Sequence, residues 1–111
     1  MVTESFETFA TGAVLLDWSV PTSGFWLGAT LNFSAGAAPT TAGNVELIFK
    51  SVHGVDYDST IYSVDPSSPA SESVYMSPDV KFPVNRGDKI QVKYANPDNL
   101  KVAVIIKGQV D

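Results

Sequence analysis

The sequence lacks cysteine and has a single histidine, His53. Without cysteine there are no disulfides, thiolate nucleophiles or thiolate metal sites, which excludes a small secreted scaffold held by disulfides. A single histidine excludes multi-histidine metal centres and leaves no evident base for a serine nucleophile. Stability must therefore come from packing or assembly, and we expect His53 to lie in a solvated loop.

Positive charge and long apolar runs are also scarce. Seven Lys and Arg against twelve Asp and Glu give a formal net charge of −5, a sign that repels nucleic-acid phosphates and anionic membranes. No segment approaches the ~20 apolar residues of a membrane span. The apolar run from Ala13 to Leu16 is too short for the core of a signal peptide. We therefore expect no nucleic-acid partner, no membrane and no signal peptide, in a protein made in the cytoplasm.

The chain does contain short apolar segments that alternate with polar residues and are separated by Gly, Pro, Asn and Asp. Apolar residues make up 44% of its 111 residues, which is enough for one folded core. The pattern predicts an all-β fold in a single domain over residues 1–111. We expect one antiparallel β-sandwich of about eight strands, jelly-roll-like or immunoglobulin-like. The predicted strands are 13–20, 25–34, 44–52, 57–64, 72–77, 80–84, 89–94 and 100–107.

Four segments depart from simple alternation. Residues 1–11 fit either an amino-terminal arm or an edge strand, and residues 35–44 read as a loop between sheets. Pro83 interrupts its strand, which predicts an edge position because proline cannot donate a ladder hydrogen bond. The strand 100–107 is apolar on both faces, which predicts that it is central or covered by a partner.

Turn-forming and acidic residues carry the motifs that most resemble binding sites. Arg86-Gly87-Asp88 matches an integrin-type tripeptide, but a β-turn before a strand requires the same residue types. Two acidic groups offer oxygen ligands for calcium, although their spacing matches no EF-hand loop. These groups are Asp56 with Asp58 and Asp65, and Asp79 with Asp88 and Asp98. We interpret both features as turn structure, and predict no catalytic residue, no metal and no cofactor.

Apolar residues at outward positions of the predicted strands mark the surface best suited to a partner or ligand. These residues are Trp26, Ile48, Tyr62, Ala103 and Ile105. The predicted phases place Trp18 in the core and Trp26 on the outside. In the second strand they place Leu27, Ala29 and Leu31 on the inward face, and in the strand 89–94 they place Ile90, Val92 and Tyr94 inward. An outward aromatic ring suits a protein partner or a stacked sugar.

Three segments together resemble small all-β structural proteins of tailed bacteriophages. They are LGATLNFSAGAAPTTAGNVELIF (27–49), YDSTIYSVDPSS (57–68) and FPVNRGDKIQVKYANPD (82–98). The resemblance rests on turns and strands, so no functional residue is carried over from it. It implies a virion component, either a capsid decoration protein or a small accessory protein of tail or head fibres.

The leading hypothesis is therefore a non-enzymatic decoration (cement) protein, located in the virion, that binds the major capsid protein of a tailed phage. It would bind through a sheet face or edge and through the arm 1–11, and we expect it to form a homo-oligomer. The alternative is a carbohydrate-binding or receptor-binding module of a fibre, with Trp26 stacking on a glycan. A small hydrolase is a third and weaker hypothesis.

Overall fold

The alternating segments form strands in a computed structural model that describes residues 2–34 and 37–111. Nine strands and one 3-10 turn, Val55–Tyr57, lie within these residues. The strands are β1 (Val2–Ala10), β2 (Val14–Ser19), β3 (Gly24–Phe33), β4 (Val45–Lys50), β5 (Ser59–Val64), β6 (Ser73–Met76), β7 (Phe82–Val84), β8 (Lys89–Tyr94) and β9 (Val102–Val110). Within the same residues, no helix has the length and apolarity needed to span a membrane.

The strands form two antiparallel sheets. The first has the order β1-β9-β3-β6, with β7 also paired to β3, and the second has the order β2-β8-β4-β5. The pairing is nested along the chain, because β1 pairs with β9, β2 with β8, β3 with β6 and β7, and β4 with β5. Nested antiparallel pairing across two sheets is the jelly-roll arrangement. The predicted single β-sandwich is therefore confirmed, with the connections of a jelly roll.

The core lies between the sheets and is built from the inward residues of both. Trp18 of β2 is fully buried and lies over Gly108 of β9. A Cβ atom on Gly108 would lie 2.0 Å from Cη2 of Trp18, so a glycine is needed where the indole crosses to the opposite sheet. Tyr94 is buried as well, and the predicted inward positions of Trp18 and Tyr94 are confirmed.

The predicted outward position of Trp26 is wrong. A bulge interrupts the pairing of β3 with β9 between Trp26 and Gly28, and an extra residue in a strand reverses the alternation beyond it. Trp26 consequently shares the inner face with Ala29 and Leu31, and only 1% of its surface is exposed. Leu27, predicted to face inward, is exposed instead.

The edges and the last strand agree with their sequence patterns. Val2–Ala10 form the edge strand β1, while Met1 lies outside the described residues. Pro83 lies in β7 at the opposite edge, as predicted. The last strand is central, between β1 and β3, and extends to Val110. The predicted loop 35–44 lies between β3 and β4, with residues 35 and 36 outside the described part.

Candidate interaction surface

The outer surface of the first sheet presents apolar side chains in two adjacent rows. In one row Phe9 lies opposite Ala103 across the β1-β9 pairing. In the next, Ile105 lies opposite Thr30, and Thr30 lies opposite Tyr75. We call these five residues the apolar face.

Two aromatic side chains on this face are largely exposed to solvent. Phe9 is 73% exposed and Tyr75 is 71% exposed, at opposite sides of the sheet. Ala103 and Ile105 are half-buried between them. Polar residues lie among these apolar ones, since Glu7 is opposite Ile105 and Asn32 is opposite Ala103. Exposed apolar side chains grouped on one surface are typical of interaction surfaces, and aromatic rings contribute large contact areas at low entropic cost.

A groove of about 460 Å³ lies at the Phe9 end of the face. Phe9 and Ala103 supply apolar surface to its lining, and Thr11, Asn32, Ser34 and Lys101 supply polar groups. The Ser73 hydroxyl donates a 2.8 Å hydrogen bond to Oδ1 of Asn32, which holds that amide in place. The groove therefore combines an apolar wall with fixed polar groups, a combination found in binding sites.

A smaller groove of about 160 Å³ lies beside Tyr75. Thr30, Ser77 and Lys107 supply its polar groups, and Ile105 supplies apolar surface. The exposed phenol ring thus stands next to hydroxyl and ammonium groups, which are hydrogen-bond donors suited to a polar ligand.

The five predicted surface residues do not form one site. Ala103 and Ile105 belong to the apolar face, whereas Trp26 is buried under the same sheet. Ile48 is half-buried on the outer surface of the second sheet, and Tyr62 is partly exposed on β5 of that sheet. Ala103 and Ile105 thus belong to one sheet, and Ile48 and Tyr62 belong to the other.

Phe9 and Tyr75 were not among the surface residues predicted from the sequence. Both residues alternate with inward neighbours, and the register confirms the outward phase of each. The alternation in β1 gave only a weak indication that Phe9 belongs to an apolar surface, because Thr3, Ser5 and Glu7 lie on the same face of the strand. Such a mixed strand gives no clear apolar periodicity.

The acidic turn residues hold loops in place. The Asp88 carboxylate is buried and accepts hydrogen bonds from the backbone N–H groups of Val52, at 2.9 Å, and Asn85, at 2.8 Å. Gly87 before it adopts a φ of +92°, a conformation that favours glycine. The turn interpretation of Arg86-Gly87-Asp88 is therefore confirmed.

Asp98 has a similar role at the other end of the sandwich. Its carboxylate accepts hydrogen bonds from the Thr41 hydroxyl and from the backbone N–H groups of Thr40 and Thr41. These bonds, led by that from the Thr41 side chain, lower the pKa of Asp98 below its ordinary value. Hydrogen bonds from Ser67 likewise lower the pKa of Asp65. In residues 2–34 and 37–111, no three acidic or histidine side chains cluster closely enough to hold a metal ion.

The chain matches no model of a known protein family and no curated protein.

Proposed function

We propose that the protein is a non-enzymatic structural component of a tailed-phage virion, which decorates the capsid by binding the major capsid protein through its apolar face. The observation that supports this proposal most directly is the exposure of Phe9 and Tyr75 on one sheet surface, with Ile105 between them. Aromatic residues are enriched among the residues that dominate binding energy at protein interfaces.

The fold and the charge agree with this role. Jelly rolls recur in viral capsid proteins, which is an analogy at the level of fold only. A sandwich held by packing alone needs no disulfide, and many copies on a symmetric shell gain avidity from contacts that are individually weak. The net charge of −5 would complement a basic patch on a shell subunit.

The experiment is co-sedimentation of the purified protein with expanded shells of the major capsid protein encoded in the same genome. We expect saturable binding at a fixed number of copies per shell, and bands of both proteins in purified virions. Failure to sediment with shells, together with absence from virions by mass spectrometry, would contradict the proposal.

A second candidate is recognition of a glycan, in a module of a tail or head fibre. Trp26 is buried and no longer supports it, but Tyr75 stands beside the groove that holds Thr30, Ser77 and Lys107. A ring next to hydroxyl and ammonium donors suits a sugar. On a glycan array, binding that is lost in Tyr75→Ala and kept in Phe9→Ala would favour this candidate over decoration.

A further inference from the structure

The free edge of β1 is the longest unpaired edge strand in the described residues. β1 has nine residues and pairs with β9 along one side, and no strand within 2–34 or 37–111 pairs with the other side. At about 3.4 Å per residue the strand spans roughly 30 Å of open edge. Unpaired N–H and C=O groups along such an edge are a template for another strand.

The other sheet edges are shorter than β1, and all but β2 carry features that discourage pairing. β2, at one edge of the second sheet, has six residues against the nine of β1. β6 has four residues, and β7 has three with Pro83 at its centre. The pairing of β5 with β4 contains a bulge. Short strands, proline and bulges are the common protections of an edge. β1 has no proline, and its register with β9 is unbroken from Val2 to Ala10.

We propose that two copies of the protein associate through their β1 strands, antiparallel about a two-fold axis at Phe6, to form one continuous sheet. In this register Phe6 lies opposite itself, and all nine residues of β1 find a partner. The opposed pairs are Val2 with Ala10, Thr3 with Phe9, Glu4 with Thr8, and Ser5 with Glu7. Inward residues meet inward residues and outward meet outward, so the core side stays continuous across the axis.

The two glutamates select this register. An axis at Glu4 or at Glu7 would place a carboxylate directly opposite its own copy, which is destabilising. An axis at Ser5 would place Glu4 opposite the Phe6 ring and leave Phe9 and Ala10 without a partner inside β1. With the axis at Phe6, each glutamate faces a hydroxyl instead.

Two inward side chains of β1 gain contacts from the second copy. One carboxylate oxygen of Glu4, Oε1, is buried and has no hydrogen-bond partner among the described residues. The Thr8 hydroxyl of the second copy lies opposite and can donate to it. Phe6 is partly exposed and packs against Trp18, with ring centroids 6.5 Å apart. Two Phe6 rings facing each other across the axis would extend that aromatic cluster.

The association also has a consequence for the apolar face. A two-fold axis perpendicular to the shared sheet places the outer surfaces of both copies on the same side. Phe9 of each copy then lies about 10 Å along the strand from the axis, at roughly 3.4 Å per residue. The two apolar faces lie on the same side of the joined sheet, with Ser5 and Glu7 of both copies between them. The association itself depends only on β1, and therefore stands or fails independently of capsid binding.

Disulfide trapping tests the register directly, because the native chain has no cysteine. Ser5 and Glu7 are both exposed, and the register places them 4.5–5.5 Å apart between Cα atoms, roughly the spacing that a disulfide requires. Mixing Ser5→Cys with Glu7→Cys under mild oxidant should give a cross-linked heterodimer in high yield. The matched control mixes Ser5→Cys with Lys107→Cys, since Lys107 lies opposite Ser5 within the chain but one strand further from the axis.

A second experiment changes the charges at positions 5 and 7. It measures the dimer dissociation constant by light scattering during gel filtration over a range of protein concentrations. The wild-type protein should be dimeric, and Ser5→Glu should raise the dissociation constant roughly fivefold by placing two like-charged pairs opposite each other. Adding Glu7→Lys to Ser5→Glu should restore the dimer. A monomer at every concentration, a trimer, or equal cross-linking in the control mixture would overturn the proposal.

Discussion

The outer surfaces of the two sheets differ in what they present to water. The apolar face of the first sheet carries Phe9, Ile105 and Tyr75. The outer surface of the second sheet carries charge along β2, β8 and β4, and we call it the charged face. Its charged residues are Asp17, Glu46, Lys50, Lys89 and Lys93, and Leu15, Ser19, Ile48 and Gln91 lie among them.

The buried polar side chain at the centre of the charged face has a hydrogen-bond partner within the protein. The Gln91 side chain is nearly buried there and donates a 2.8 Å hydrogen bond to the Asp17 carboxylate. Phe9 and Tyr75 have no comparable cover, since both rings are mostly exposed. Because removing apolar surface from water is favourable, the apolar face gains more from a partner than the charged face does.

The largest expected effect is on the free energy of unfolding. It distinguishes a residue in the core beneath the apolar face from a residue on that face. Trp26→Ala should lower the free energy of unfolding by about 3–5 kcal/mol, because it empties a fully packed site. Tyr75→Ala removes an exposed ring from the same sheet and should change it by less than about 0.5 kcal/mol. Urea denaturation measures both. Equal losses in the two variants would show that the two rings are equally packed.

Trp26 also shows why the alternation pattern fails at one point. The pattern predicted the β3 segment and the inward phase of Ala29 and Leu31 correctly, and both residues are buried. It misplaced Trp26 because a bulge adds a residue without changing the order of residue types. Where the pairing is regular, as in β8, the predicted bounds Lys89–Tyr94 and the inward residues are confirmed.

The second expected effect tests binding at the apolar face. Phe9→Ser combined with Tyr75→Ser should weaken binding to capsid shells about tenfold or more, because interface aromatics carry a large share of binding energy. Leu15→Ser is the matched control, since Leu15 is 62% exposed on the charged face. Co-sedimentation over a range of protein concentrations gives the affinities. If Leu15→Ser weakened shell binding as much as the double variant does, the apolar face would contribute no more to binding than the charged face.

A smaller effect is expected at the charged face. Asp17→Ala leaves the nearly buried Gln91 amide without its acceptor and should cost about 1 kcal/mol of unfolding free energy. Ser19→Ala, on the same strand and the same face, should be close to neutral. Thermal unfolding of both variants checks this. Identical melting temperatures would mean that the bond between Gln91 and Asp17 contributes nothing.

The smallest expected effect is on the pH dependence of stability, and it concerns Asp98, whose carboxylate holds the loop that contains Thr40 and Thr41. Because hydrogen bonds hold the folded-state pKa of Asp98 below its ordinary value of 3.8, its contribution to stability is present above that pH and is lost as pH falls through the lowered pKa. Asp98→Asn should therefore show a smaller loss of stability on acidification than the wild type. Urea midpoints measured from pH 5 downwards test this, and parallel curves would contradict it. Asp65 is retained in both proteins, so its own titration cancels.

The candidate interaction surface was only half predictable from the sequence. Ala103 and Ile105 were identified because β9 is apolar on both faces, a pattern visible in one short segment. Phe9 and Tyr75 complete the face only through pairings between strands that are far apart in the chain. Single-strand periodicity contains no information about which strands become neighbours.

A cryo-electron microscopy map of capsid shells decorated with the protein tests capsid binding through the apolar face most directly. We expect the apolar face, with Phe9 and Tyr75, to lie against the shell and the charged face, with Lys89 and Lys93, to lie towards solvent. A map with the charged face on the shell, or shells with no added density, would contradict it.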